Sequence, residues 1–192
     1  MLKAQPRYCL WIEDDKAEAA NSIEAVAERL KAVATFRAAS KASSTQRFSD
    51  RPHSFVQISH QESPCLAVPG VSSKRRAYIP MDYLTSGTVI SNKVYGVYNA
   101  EVWLLALLHS SMHMCWVRTV CGRLKSDYSY GNTLGYNTFP FPDLDHAAQL
   151  KLDDSALAVL AARERWPDRS LADLYDPDKT VSYTHLTLPT KA

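Results

Sequence analysis

Three successive hydrophobic periods divide this chain. After a strand-like opening, Tyr8-Cys9-Leu10-Trp11-Ile12, the apolar residues Ile23, Val26, Ala27, Leu30 and Val33 recur at helical spacing among Ala, Glu, Lys and Arg. That spacing predicts one long amphipathic helix over Glu13 to Ala39. The Ser/Thr-rich Ala42 to Asp50 ends it, and Arg51-Pro52 marks a loop. From Ser54 the period falls to two, and short apolar runs at Phe55-Val56-Gln57-Ile58, Leu66-Ala67-Val68, Tyr78-Ile79-Pro80 and Val89-Ile90 read as strands of a mixed sheet.

Helical spacing then returns. Asn99 is a candidate cap for a helix beginning at Ala100, and Ser110 or Ser111 for a second that runs to Cys121 and stops at Gly122. The polar and aromatic stretch Arg123 to Tyr130 reads as an exposed hairpin or loop, and Tyr136-Asn137-Thr138-Phe139-Pro140-Phe141-Pro142 holds two prolines that exclude a central strand. A small acidic helix is expected from a cap near Asp153 to Arg165, ended by Pro167. The pattern as a whole predicts an α+β fold: a mixed β-sheet domain with packed helices, preceded by a long N-terminal helix and followed by a small helical piece.

Charge sharpens this division. From Ser63 to Tyr130 seven basic residues face three acids, a net of +4, whereas Asp143 to Asp178 holds nine acids against four basic residues, a net of −5. One segment suits a polyanion and the next is repelled by it. The four cysteines lack CxxC spacing and no signal peptide precedes them, which fits a reduced, cytoplasmic protein. The apolar run Val102 to Leu108 is far short of the roughly 20 residues that a bilayer requires, so no membrane partner is expected.

No complete catalytic centre is legible. The six glycines never fall as GxG, and no Asn/Asp-Pro-Pro-aromatic loop occurs, so neither a phosphate- or cofactor-cradling turn nor the amine-holding loop of an amino-methyltransferase is expected. His109, His113, Cys115 and Cys121 are four zinc-type side chains in non-standard spacing; helix packing is the competing explanation. Ser110 and Ser111 adjoin His109 in sequence, which on a helix does not bring a nucleophile to its base.

Five stretches in order, Pro69-Gly-Val-Ser-Ser-Lys-Arg-Arg-Ala-Tyr-Ile-Pro80, Val89-Ile-Ser-Asn92, Met112-His-Met-Cys-Trp-Val-Arg118, Cys121-Gly-Arg-Leu-Lys-Ser-Asp-Tyr128 and Tyr136-Asn-Thr-Phe-Pro140, resemble the target-recognition domain of MmeI-like type IIL/IIG restriction-modification DNA methyltransferases. The resemblance covers roughly Arg51 to Pro142, and the acidic stretch through Asp178 resembles the helical region that follows in that family. It implies sequence-specific recognition of double-stranded DNA on behalf of an adenine-N6 methyltransferase. That parent joins nuclease, methyltransferase and recognition parts in one polypeptide and uses S-adenosylmethionine; no cofactor is expected within this stretch itself. The implied organisation is residues 1–50 as a strand and long helix arriving from a missing methyltransferase core, 51–142 as the recognition domain, and 143–180 as a truncated acidic helical region. Residues 181–192 resemble a translated sequencing-adapter tail and are set aside.

Lys125 and Asp127 draw attention independently. Two apart in an extended segment they would point the same way, and a G·C pair offers guanine O6/N7 acceptors opposite a cytosine N4 donor, matching a lysine and an aspartate. The resemblance implies that Lys125 with Asp127, Lys93 with Ser129, and Gly70 with Asn92 are base-reading pairs. Gly70 is a departure, because the family usually places a long polar side chain there. Lys74, Arg75, Arg76, Arg118 and Arg123 are candidate phosphate contacts, which position without specifying; Arg118 has the alternative of pairing with Glu101. The aromatics Tyr128, Tyr130, Tyr136, Phe139 and Phe141 are expected to pack. Two other readings stay open: an α+β protein-interaction domain that binds no DNA, and a small enzyme with a His/Cys site.

Overall fold

The computed structural model describes residues 7–179, so the adapter-like stretch falls outside the described residues. Two compact units divide them, residues 7–59 and 60–179.

In the first unit the expected long helix is two. A 3-10 turn at Asp14–Lys16 leads into α1 (Ala17–Asn21), and α2 (Glu24–Ala38) starts afresh after Ile23, whose extended backbone interrupts the spiral. The break falls where helix propensity is weakest, at Asn21-Ser22, with the Ser22 hydroxyl donating back to the Ala19 carbonyl at 2.7 Å. Only Leu30 of α2 is buried. The Arg37 guanidinium holds the loop after the short α3 (Ser43–Gln46), donating to the carbonyls of Phe48, Arg51 and Ser54 at 2.8–3.0 Å. Phe55 to Ile58, read from sequence as a strand, is not one; these side chains are exposed.

The second unit confirms the α+β class with two three-stranded sheets, and every strand pair among the described residues is antiparallel. One sheet has β1 (Cys65–Pro69) at its centre, between β3 (Asp82–Leu84) and β4 (Val94–Tyr98). The other has β6 (Asp127–Ser129) at its centre, between β2 (Val71–Ser72) and β5 (Gly122–Leu124). The strand expected at Leu66 to Val68 is present. Those expected at Tyr78 to Pro80 and Val89-Ile90 lie in loops, and the strands form a few residues later, at β3 and β4. Burial without pairing explains the first case, since Ile79, Pro80 and Met81 fill the core as an irregular segment. At β4 the central Gly96 disguises a good strand; an added Cβ there would lie 2.8 Å from Ile90 Cδ1, so any larger residue would have to push the Ile90 side chain aside.

Helix α4 (Val102–Leu108) is buried from Leu104 to Leu108 and packs along α6 (His146–Glu164). Its cap position is Glu101, two residues beyond the expected Asn99, which instead adopts a left-handed φ of 54°. Ser110 caps α5 (Ser111–Val120) as expected, its hydroxyl accepting the His113 N–H. Helix α6 begins seven residues before the expected Asp153, capped by Asp145, whose carboxylate accepts the Ala148 N–H at 2.7 Å. The core joins Leu66 and Val68 of β1, Ile79, Met81, Leu104, Leu105 and Leu108 of α4, and Met114 and Val117 of α5. A smaller cluster gathers Ala162 of α6 with Leu171, Leu174 and Tyr175 around α7 (Leu171–Leu174). Between them Arg163 is buried, donating to the Met81 carbonyl at 2.8 Å, to Asp82 and to the Tyr175 hydroxyl. This side chain fastens the acidic helical region to the edge strand β3.

Candidate nucleic-acid interface

Sheet register decides which side chains meet water. Val71 pairs with Ser129, Ser72 with Tyr128, Gly122 with Ser129, Arg123 with Tyr128 and Leu124 with Asp127. Directly opposed residues share a face and alternate residues repeat it. One face therefore carries Ser72, Tyr128 and Arg123, and the other carries Val71, Gly122, Leu124, Asp127 and Ser129. Burial agrees: Ser72 and Tyr128 are 2% and 6% exposed, whereas no member of the second set is buried.

Two candidate base readers, Asp127 and Ser129, thus stand on one outward face. Gly70 connects that face to the other sheet. Its N–H donates to the Lys93 carbonyl and its own carbonyl accepts the Tyr130 N–H, both at 2.9 Å. The strand running through β1 and β2 changes sheets there, which brings Lys93 and the adjoining Asn92, both exposed, toward the C-terminal end of β6, the central strand of the second sheet. The backbone accordingly brings together Gly70, Asn92, Lys93, Asp127 and Ser129, residues up to 59 positions apart in the sequence.

Lys125 requires a correction. It is exposed at the tip of the β5-β6 hairpin with a φ of 57°, so the two-residue alternation invoked for Lys125 and Asp127 does not apply. A positive φ at the first loop position is what a two-residue hairpin needs to follow strand twist. Lys125 and Asp127 are neighbours at one tip because the chain turns, not because it is extended. Asp127 also serves the fold, since its carboxylate accepts the Lys74 N–H at 3.2 Å and fixes the loop after β2.

The candidate phosphate contacts separate into distinct settings. Lys74 is exposed, and Arg75 is exposed and ion-paired with Asp178. Arg76 is partly buried, with an Nε that has no hydrogen-bond partner. Arg123 lies over the Tyr128 ring, 3.9 Å from its centroid. Burial pushes the Tyr128 hydroxyl up, but hydrogen bonds from Arg123 and Arg118 outweigh it and leave it below the ordinary tyrosine value. Arg118 and Arg123 are thereby gathered at one hydroxyl by the aromatic face of the sheet, and the Arg118–Glu101 pair does not occur among the described ion pairs. Sequence reasoning missed this tyrosine anchor; the alternation of Arg123 with Leu124 was its available signal.

The four His/Cys candidates do not converge. His109 caps the end of α4, whereas His113 and Cys115 belong to α5, so they do not share one helix. His109 stacks on Tyr78 at 5.0 Å and meets Tyr175 edge-on; His113 meets Phe139 at 4.6 Å and the Tyr130 hydroxyl at 3.2 Å. Cys115 is exposed, and no metal-holding group of three or more His, Cys, Asp or Glu side chains occurs among the described residues. Of the aromatics expected to pack, Tyr128, Tyr130 and Phe139 are buried, Tyr136 is half-buried and Phe141 is exposed. No described helix is long and apolar enough to cross a membrane.

The chain is similar to known proteins in both sequence and fold. The chain is 39% identical over 171 residues to DNA methyltransferase A of Bacillus subtilis (strain 168), covering 89% of the chain and 19% of that protein. It superposes with a TM-score of 0.91 and 34% identity on a solved structure of the type IIL restriction-modification enzyme MmeI in complex with DNA, over 96% of this chain and 24% of that one. The chain thus spans about a fifth to a quarter of the length of these relatives. Residues 1–143 match the family model described as MmeI, target recognition domain, and the chain belongs to that family.

Proposed function

We propose that this chain reads a short sequence in double-stranded DNA for a methyltransferase of which it is the target-recognition part. The observation that carries the reading is the outward face of the second sheet, where Asp127 and Ser129 stand together and Gly70 joins them to Lys93 and Asn92 through backbone hydrogen bonds. The β5-β6 hairpin of that sheet is a two-stranded ribbon, which a major groove admits, and there each base pair presents its own donor and acceptor pattern. Lys125 and Asp127 read a G·C pair, lysine donating to guanine and aspartate accepting from cytosine. Lys93 with Ser129 and Asn92 beside Gly70 read two further positions. Lys74, Arg75, Arg76, Arg118 and Arg123 meet phosphates and set position.

The methyl transfer belongs to the rest of the parent polypeptide, an adenine-N6 methyltransferase using S-adenosylmethionine. That cofactor does not fit the residues described. The turn from β4 into α4 carries Asn99, Ala100 and Glu101 where a cofactor-cradling turn carries glycines. Within the stretch that matches the recognition-domain family model, residues 1–50 are the connection from the methyltransferase part and 51–142 the part that reads DNA, and 143–180 are the helical region that follows.

Binding of the 192-residue chain to a pool of duplexes with ten randomised positions, followed by sequencing of the bound fraction, tests the reading. A G·C pair of fixed strand orientation is expected at one position, with affinity falling steeply as salt rises. The double exchange Lys125→Asp with Asp127→Lys should change the pair preferred at that position alone. Aspartate tolerates the left-handed backbone at position 125, and the lost Lys74 hydrogen bond costs about 1 kcal/mol, so the swapped chain still folds. Equal loss across all sequences would reduce Lys125 and Asp127 to phosphate contacts. Absence of DNA affinity even at low salt would favour a protein-interaction domain.

A further inference from the structure

The outward face of the second sheet is not uniformly polar. Val71 is 37% exposed and stands directly across the ladder from Ser129; Leu124 is 57% exposed and stands directly across from Asp127. Single exposed apolar residues are ordinary on a protein surface. Here both occur on the one face that carries the polar readers, and each is paired with one of them. The tip is also held rigidly for a hairpin: Lys125 sits in a defined turn, Asp127 is tied to the Lys74 N–H, and Arg123 is laid on Tyr128. Leu124 is therefore presented outward rather than folded under the sheet.

An apolar group beside a polar one, roughly 5 Å apart across a ladder, can meet two neighbouring bases in the major groove, a methyl group on one and a hydrogen-bonding atom on the next. A thymine shows its C5-methyl group next to the O4 acceptor, whereas cytosine shows a donor and no methyl. We propose that Val71 and Leu124 are the apolar half of the reading face, each packing against the C5-methyl group of a thymine next to the base that Ser129 or Asp127 reads. The inference rests on the DNA-reading function proposed above and adds to it two residues that specify sequence without hydrogen bonds.

Deoxyuridine lacks only that methyl group and keeps the hydrogen-bonding edge. With the duplex preferred by the 192-residue chain, each thymine is replaced singly by deoxyuridine and affinity is read by fluorescence anisotropy. The unmodified chain should lose about three- to fivefold at one or two thymines, as expected for one methyl group returned to water. Leu124→Ala, too short to reach the methyl, should bind thymine and deoxyuridine duplexes equally at one of these positions, and Val71→Ser, which loses both γ-methyl groups, at the other. Leu124→Met should restore the difference, which separates loss of the contact from damage to the hairpin. A preferred duplex without a methyl-sensitive thymine, or penalties that survive in both variants, overturns the inference while the DNA-reading function stands. A chain that binds no duplex at any salt concentration overturns both.

Discussion

Gly70 lacks a side chain at the point where one strand leaves the first sheet for the second. Its φ is not positive, so the backbone does not demand glycine. An added Cβ would sit 3.3 Å from the Lys93 carbonyl oxygen and 3.4 Å from Tyr95 Cε2, tight but open to a shift of a few tenths of an ångström. Gly70→Gln should therefore fold, because the crowding is offset by the roughly 0.4–1 kcal/mol gained from a less flexible unfolded chain. The melting temperature should stay within a few degrees. If position 70 faces a base, the same variant should narrow the preference at a single position in the randomised-duplex selection. A folded variant with an unchanged preference would remove Gly70 from the reading surface; a fall of more than about eight degrees, on the order of 2 kcal/mol or more, would show the approach to Lys93 to be indispensable. Lys93, Asp127 and Ser129 can be singled out from motif order, but their shared face cannot. That depends on a cross-sheet pairing through Gly70 that no local pattern encodes. The same limit applies to Lys125, where alternation predicts an extended segment and the chain forms a turn with a φ of 57°.

Among the elements, α4, α5 and α6 were legible from their helical apolar spacing, but of their expected caps only Ser110 of α5 is one, since Asn99 and Asp153 offer the same local chemistry without starting a helix. The strands were less so. β3 has three residues and β5 and β6 three each, too few for a period to declare itself, and burial of Ile79 to Met81 imitates a strand in a loop. What holds the helices to the sheets includes two histidines whose protonation the fold opposes. Burial, with Arg163 nearby, pulls His109 down to about 3, and burial pulls His113 down to about 4. Both folded values lie below the ordinary 6.5, so the unfolded chain takes up protons first as pH falls. Their stabilisation is fully present above pH 6.5 and is lost on the way toward pH 4, by about 2 kcal/mol per histidine at pH 5. Asp82, raised by desolvation against the pull of Arg163, acts in the opposite sense, adding stability as pH falls from its raised folded value toward 3.8. Chemical denaturation at pH 7 and pH 5 should therefore show a loss on the order of 4 kcal/mol. In His109→Phe, which keeps the ring between Tyr78 and Tyr175 and removes two ring nitrogens without hydrogen-bond partners, about half of that loss should vanish. An unchanged pH dependence in this variant would mean that His109 is protonated in the fold.

Across the second unit, charge is separated by region, and the two regions touch. The stretch with a net of +4 carries the proposed reading face, and the stretch with a net of −5 reaches back through Asp178 to pair with Arg75. Both partners are more than half exposed, so the pair adds little to stability in water. Its consequence concerns DNA: a phosphate taken up by Arg75 must displace a carboxylate already there. Asp178→Asn should raise duplex affinity about two- to fivefold at low salt, the range expected for freeing one exposed pair, with the base preference unchanged. Removing any acid near the interface also lessens long-range repulsion, so the comparison is Asp168→Asn, which removes the same charge from a residue in none of the described ion pairs. Screening acts on repulsion across a Debye length of about 10 Å at 0.1 M salt. An effect common to both variants should fade as salt rises, and the excess in Asp178→Asn is the local displacement. Equal effects in the two variants would mean that Arg75 does not contact DNA, and the anchoring of the duplex would then rest on Lys74, Arg76 and the Arg118–Arg123 pair at Tyr128.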